Sequence, residues 1–242
     1  MHRVKLLILS ILLLASNLVS AQQQPDSAAL IINNYLAQMN YDKLNWQTIE
    51  AKSVITNSLS PNDTLILVRK FSFPQYSYVE LSYKGKILDA LFSDGTTFLA
   101  YDTTERAWVV SSQSRYEEQL AGYDIRGPLF NWQNRKVKAN YRGISIFEGN
   151  EVYQVFVDDP QRDYRNYLFE RSSGNLFLIV ERQSERKKTQ PVDWRAIHEY
   201  TPIGDFVFPT LESYQSAGSI TVIATQINLL PFNQSQFQKP QL

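Results

Sequence analysis

The sequence predicts a mainly β fold with helices (α+β): one large antiparallel sheet, curled or closed, partly plugged by helical segments. Three observations lead there. Aromatic residues make up 13% of the chain against only 9 glycines, a balance that suits strands with broad apolar surfaces. Beyond Trp46 apolar residues recur at period two, broken by turn residues at roughly even spacing. Several runs, Leu65-Ile66-Leu67-Val68 and Leu176–Val180 among them, are apolar on both faces. An antiparallel sheet in water shows one polar face, so another element or a ligand must cover the second.

The first residues read as a leader rather than as part of the fold. Met1-His2-Arg3 and Lys5 form a positive start, Leu6 to Leu14 is apolar apart from Ser10, and Val19-Ser20-Ala21 supplies small residues for cleavage. A signal peptide over 1–21, cleaved after Ala21, is therefore expected, leaving a single domain over 22–242. The apolar stretch is shorter than the roughly 20 residues of a membrane span. With no cysteine, the chain has no disulfide, no thiol nucleophile and no thiolate metal site. For the same reason it is not itself a lipoprotein, because nothing after the leader can be acylated. Lys+Arg and Asp+Glu number 24 each, so no electrostatic footprint for nucleic acid is present.

One helix opens the mature chain. Asp26 or Ser27 can cap it after Pro25, and Ala28, Ile31, Ile32, Tyr35 and Met39 recur at helical spacing up to an end near Asn40. Strand-like runs follow: Ile49–Leu59, Thr64–Phe73, Tyr76–Tyr83 and Lys86–Phe92, then a turn at Asp94-Gly95, then Thr96–Tyr101 and Ala107–Ser112. An interruption comes next, with a short helix over Arg115–Gly122 and a loop over Tyr123–Trp132. Strands resume as Val137–Phe147, a turn at Gly149-Asn150, Glu151–Val157, Tyr164–Arg171, a turn at Ser173-Gly174-Asn175, and Leu176–Gln183. Trp194–Thr201, Phe206–Tyr214 and Ser219–Leu229 complete the set. The Gln/Asn-rich tail Pro231–Leu242 is expected to run over the surface. The first helix and the Arg115–Trp132 region are then the elements available to cover the second face, leaving an apolar cleft.

Reactive constellations are scarce. The single histidine beyond the leader, His198, shares an alternating face with Trp194, Ala196 and Tyr200; as a base it would need a nucleophile and an orienting acid nearby. A strand histidine with a local hydrogen bond is the simpler account. Asp158-Asp159 precedes Pro160 and reads as a turn; neither it nor Glu117-Glu118 defines an acid pair for glycoside hydrolysis. The basic run Glu181–Gln190 suits a charged hairpin tip, or contact with anionic headgroups. No cofactor or metal site is indicated. Aromatics are the remaining signal: Phe71, Phe73, Tyr76, Tyr78, Phe98, Tyr101, Trp108, Phe156, Tyr167, Phe169, Phe206 and Phe208 all fall on strands. Phe206 and Phe208 share one face after the turn at Gly204-Asp205.

Four segments in fixed order resemble a known family: FEGNEVYQVFV (Phe147–Val157), YLFERSSGNLFLIV (Tyr167–Val180), HEYTPIGDFVFPTLESY (His198–Tyr214) and INLLPFNQSQFQKP (Ile227–Pro240). They are similar to successive blocks of the outer-membrane lipoprotein-sorting (LolA/LolB-like) proteins of bacterial envelopes. Phe73-Pro74 stands where that family carries Arg-Pro, with Arg69 and Lys70 a few residues earlier. The resemblance implies an incomplete β-barrel with helices as a lid over an apolar cavity, periplasmic localisation, lipid or lipoprotein binding, and no catalysis.

On that basis the expected function is a periplasmic lipid- or lipoprotein-binding carrier, acting as a monomer on acyl chains, with envelope membrane proteins as candidate partners. Alternation picks Leu67, Phe71, Leu81, Phe92, Phe98, Trp108, Val155 and Phe169 as lining residues. Burying a 16-carbon chain gains about 12 kcal/mol at about 0.8 kcal/mol per methylene, so an apolar trough needs no special side chain. The alternative is a non-enzymatic envelope scaffold that holds a protein in the same shell. A hydrolase is the third reading, and it would depend on His198.

Overall fold

The computed structural model describes residues 27–44, 47–159, 162–181 and 193–240. The leader and the basic run beyond Glu181 lie outside them. Thirteen strands are seen: β1 (Gln47–Asn57), β2 (Ser60–Ser72), β3 (Tyr76–Tyr83), β4 (Lys86–Asp94), β5 (Phe98–Asp102), β6 (Ala107–Val110), β7 (Lys138–Phe147), β8 (Asn150–Asp159), β9 (Arg162–Glu170), β10 (Leu176–Glu181), β11 (Trp194–Ile203), β12 (Phe206–Ser216) and β13 (Ser219–Pro231). Helix α1 (Ala28–Met39) precedes them, and α2 (Gln113–Leu120) separates β6 from β7.

All thirteen strands form one antiparallel sheet in the order β6-β5-β4-β3-β2-β1-β13-β12-β11-β10-β9-β8-β7. Two meanders, each built from neighbouring hairpins, are therefore joined by a single long-range ladder. It pairs β1 with β13, from Gln47 opposite Pro231 to Asn57 opposite Thr221. The free edges are β6 and β7, which are consecutive in the chain but unpaired, so the curved sheet stays open as an incomplete barrel. α2 and the loop 121–137 bridge that gap. Irregularities in the ladders at Leu81/Ser82, Tyr141/Gly143 and Ile197/Glu199 add local twist and bend, which is how a long sheet is made to curl.

Local chemistry explains the elements. Ser27 caps α1 by accepting from the Leu30 amide (3.2 Å), and Asn40, in the left-handed region at φ 61°, ends it. The helix buries Ala28, Ile31, Ile32, Tyr35 and Met39, the face its sequence spacing predicts. Two-residue hairpins at Lys84-Gly85 and Glu148-Gly149 place both residues at positive φ, the geometry that matches strand twist. The second hairpin thus turns one residue earlier than the expected Gly149-Asn150. At Asp94 the carboxylate accepts from the Thr96 and Thr97 amides, closing the β4–β5 turn.

Both faces of the sheet are covered in part. The inner face joins α1, Tyr41, Leu44, Ile125, Leu129 and Trp132 to alternate residues of most strands in one large core. A smaller cluster on the outer face unites Val152, Leu168, Leu178 and Ala196 with Phe147 and Trp194. A third cluster joins Phe92 and Leu99 to Phe237, with Tyr76, Tyr78, Trp108 and Phe232 around them. The tail therefore does more than run over the surface. Phe237 is 5% exposed, and Gln236 accepts a hydrogen bond from Thr48. It is a second covering element that composition alone did not reveal.

Candidate functional site

The candidate site is the inner face of the sheet beneath α1 and the loop 121–137. Of the eight residues picked by alternation, Leu67, Phe71, Val155 and Phe169 are buried in the inner core, and Leu81 and Phe98 pack against it. Phe92 and Trp108 do not join them. They lie on the outer face with Leu99 and Phe237. In β4 it is Leu91 that belongs to the inner core, so Phe92, one residue on, must point the other way. Ala90 to Ser93 are all buried because the tail covers the outer side, and burial on both faces hides which is which.

The same parity argument corrects His198. The irregularity in the β11–β12 ladder at Ile197 to Tyr200 moves Tyr200 to the inner core, while Ala196 and Trp194 stay on the outer face. His198 is exposed and pairs with Ser213 Oγ at 2.6 Å, a local strand contact. Asp159 is no simple turn residue either. It is buried and accepts from Arg135 Nη1 (2.9 Å), tying the end of the covering loop to β8.

Besides burying Ile125, Leu129 and Trp132 in the core, that loop is held by polar and aromatic contacts. The Tyr116 hydroxyl of α2 bonds Ser77 Oγ, and the Tyr123 hydroxyl donates to Asp89. Arg126 is clasped by Asp124 through Nε (3.0 Å) and Nη2 (2.8 Å). Its guanidinium lies 3.6 Å from the Phe73 ring centroid and 3.9 Å from that of Phe130. Trp132 Nε1 donates to Asn33 of α1 (3.4 Å), and Arg135 also donates to the Pro128 carbonyl. Between α1 and this loop a crevice of about 290 Å³ opens, lined in part by Leu36, Tyr41, Phe130 and Trp132.

Below the cover the wall is chiefly aliphatic and aromatic. Tyr35 of α1 meets Phe169 edge-on at 5.7 Å, and Tyr41 packs on Phe208 at 5.2 Å. Burial pushes the Tyr35 hydroxyl up to about 12, with the neighbouring Tyr200 hydroxyl opposing the shift. Tyr200 donates to the Leu176 carbonyl (2.6 Å) and Tyr41 to the Val207 carbonyl (2.7 Å), so these rings are fixed in place.

One polar cluster interrupts the apolar wall, and sequence reading missed it. Arg69 lies between Leu67 and Phe71 on the same face, and its Nη2 donates to Ser53 Oγ (2.8 Å). Arg195 of β11 donates through Nε (2.9 Å) and Nη2 (2.6 Å) to Glu212 Oε1 of β12. Burial lowers Arg69 to about 10, whereas Glu212 outweighs burial at Arg195 and holds it above the ordinary arginine value. The spacing Leu67-x-Arg69-x-Phe71 was the available signal. Among the described residues no group of three His, Asp or Glu side chains converges.

No protein-family model matches the chain, and no curated relative does. Solved structures do match in fold. A LolA superfamily protein of Nitrosomonas europaea superposes with a TM-score of 0.58 at 9% identity, covering 88% of this chain and 98% of that one. A DUF1329 family protein of Desulfovibrio piger gives 0.53 at 13% identity, covering 86% and 95%. A domain from Vibrio parahaemolyticus described as an outer membrane lipoprotein-sorting protein gives 0.51 at 10% identity, covering 85% and 97%. The chain has a LolA-like fold, as its four sequence blocks suggested.

Proposed function

We propose that the protein is a non-catalytic, periplasmic carrier that holds the acyl chains of a lipid or lipoprotein between its curved sheet and its helical cover. The observation that carries this reading is the inner wall. Leu67, Phe71, Val155 and Phe169 belong to an apolar wall broken at Arg69, and the cover above them is held by side-chain packing and rim contacts rather than by a strand ladder. A cover of that kind can separate from an apolar wall without breaking the sheet. The LolA-like fold supports the same reading, since one of the matched structures is described as a lipoprotein-sorting domain.

Native mass spectrometry of protein purified without detergent tests it. Co-purifying lipid, or uptake of a fluorescent fatty acid that the substitution Val155→Glu abolishes, is the expected result. An empty protein that also ignores the probe would overturn the reading. A co-purified protein without lipid would replace it with an envelope scaffold using the same shell.

A further inference from the structure

Among the described residues, the inner wall carries a charge with no counter-charge of its own. Arg69 and Arg195 face Glu212 as the shared counter-charge, and Arg195 takes the direct ion pair at 2.6 Å. The next acid toward Arg69, Asp124, is itself paired with Arg126 at 2.8 Å. Arg69 has no carboxylate within ion-pair distance among the described residues. Its single hydrogen bond is to the neutral Ser53 hydroxyl, which in turn bonds Thr225 Oγ1 at 2.8 Å, and its buried Nε has no partner. A guanidinium with one buried nitrogen left unpaired is unfavourable, so its presence in an apolar wall calls for a partner.

Protein crowds both arginines closely enough that desolvation is the first influence on each. Yet Arg195 keeps 36% of its side chain exposed, and Arg69 is half-buried. Each side chain therefore keeps accessible surface although the surrounding protein desolvates it. Ser53 and Thr225 hold Arg69 from below and Glu212 holds one edge of Arg195, so both cations are positioned before anything binds.

We propose that Arg69, with Arg195 beside it, forms an oxyanion site in the acyl-binding wall and takes the acidic head of an anionic amphiphile whose chain lies along Leu67 and Phe71. This rests on the carrier reading above. It adds to that reading a choice of cargo, because a neutral lipid would leave the Arg69 charge unmatched while a carboxylate or phosphate oxyanion would satisfy it with charge-assisted hydrogen bonds.

Calorimetric titration of the full mature chain with laurate, dodecanol and inorganic phosphate separates the possibilities. Laurate is expected to bind about tenfold or more tightly than dodecanol, a gap of the size one charge-assisted contact supplies. Arg69→Met should erase that gap without weakening dodecanol, and Arg69→Lys should restore part of it. Circular dichroism and the thermal midpoint confirm that each variant is folded; should Arg69→Met fail to fold, the Arg69→Lys variant and the laurate-to-dodecanol ratio of the native protein still decide. Equal binding of laurate and dodecanol would overturn this inference and leave the carrier reading standing. Failure of both to bind would overturn the carrier reading and this inference together. Phosphate binding as tight as laurate would show a site for a free anion and overturn the amphiphile assignment.

Discussion

The guanidinium of Arg126 rests 3.6 Å from the centre of the Phe73 ring, joining the covering loop to the end of β2. Phe73 stacks in turn on Phe71 of the inner wall, 5.3 Å away and nearly parallel. A residue of the wall and a residue of the cover are thus linked through one aromatic side chain. The cation at this contact belongs to the cover, whereas in the resembled family the arginine precedes the proline on the sheet.

That linkage predicts the behaviour of Arg126→Ala. It removes two cation–π contacts and the ion pair with Asp124, which keeps only the residue-126 amide, so about 1–2 kcal/mol of stability should be lost. Hydrogen exchange should rise selectively over residues 121–137, with the strand ladders unchanged. Uniform loss of protection across the sheet would show that the cover and the sheet unfold as one unit.

Phe169→Ala should be much more damaging. Phe169 is fully buried and meets Tyr35 of α1 edge-on, so truncation leaves a cavity beneath the helix. A cost of about 3–5 kcal/mol is expected in urea unfolding. Ile146→Ala, at a 75% exposed position on the edge strand β7, should change stability by less than about 0.5 kcal/mol.

Truncating the ring at Phe237 tests the outer covering. Phe237→Ala should cost about 3 kcal/mol, since the residue is buried against Phe92, Leu99 and Tyr76. It should also raise binding of a dye that reports exposed apolar surface. If the tail were merely lying on the surface, neither measurement would move.

Alkaline titration reads the inner tyrosines. Burial raises both Tyr35 and Tyr116 to about 12, above the ordinary value near 10, because the charged phenolate loses its water. A folded value above the unfolded one contributes stability that is complete below about pH 10 and is lost as pH rises through about 12. The unfolding midpoint in urea should therefore fall steadily above pH 10. An absorbance titration at pH 11 should leave Tyr35 and Tyr116 neutral while the exposed phenols ionise, and their Phe variants should flatten the decline.

Much of the fold was legible because its signals are local. Ser27 and Asn40 bound the first helix whatever packs on it, and the five residues on its apolar face read directly as the buried set. The β3 limits, Tyr76 to Tyr83, and the turn at Gly204-Asp205 were equally plain. The site was less legible. Alternation groups residues within one strand, so Leu67 and Phe71 came together correctly, and Arg69 between them could have been added. It does not say which of two apolar faces turns inward, so Phe92 and Trp108 were misplaced onto the wall.

By itself the sequence determined the strand and helix periodicity, the covered second face and the order of blocks that resembles the LolA-like proteins. Each depends on neighbours within a few residues, where backbone geometry converts spacing into structure. Tertiary structure alone decided three further points: that β1 and β13 join the two halves of the open sheet through a ladder spanning most of the chain, that Phe237 returns to bury Phe92, and that the irregularity beside His198 moves Tyr200 inward. It also brought Arg69, Arg195 and Glu212, from three different strands, to one wall. Such meetings depend on register and curvature across distant strands, and no local pattern of residues encodes them.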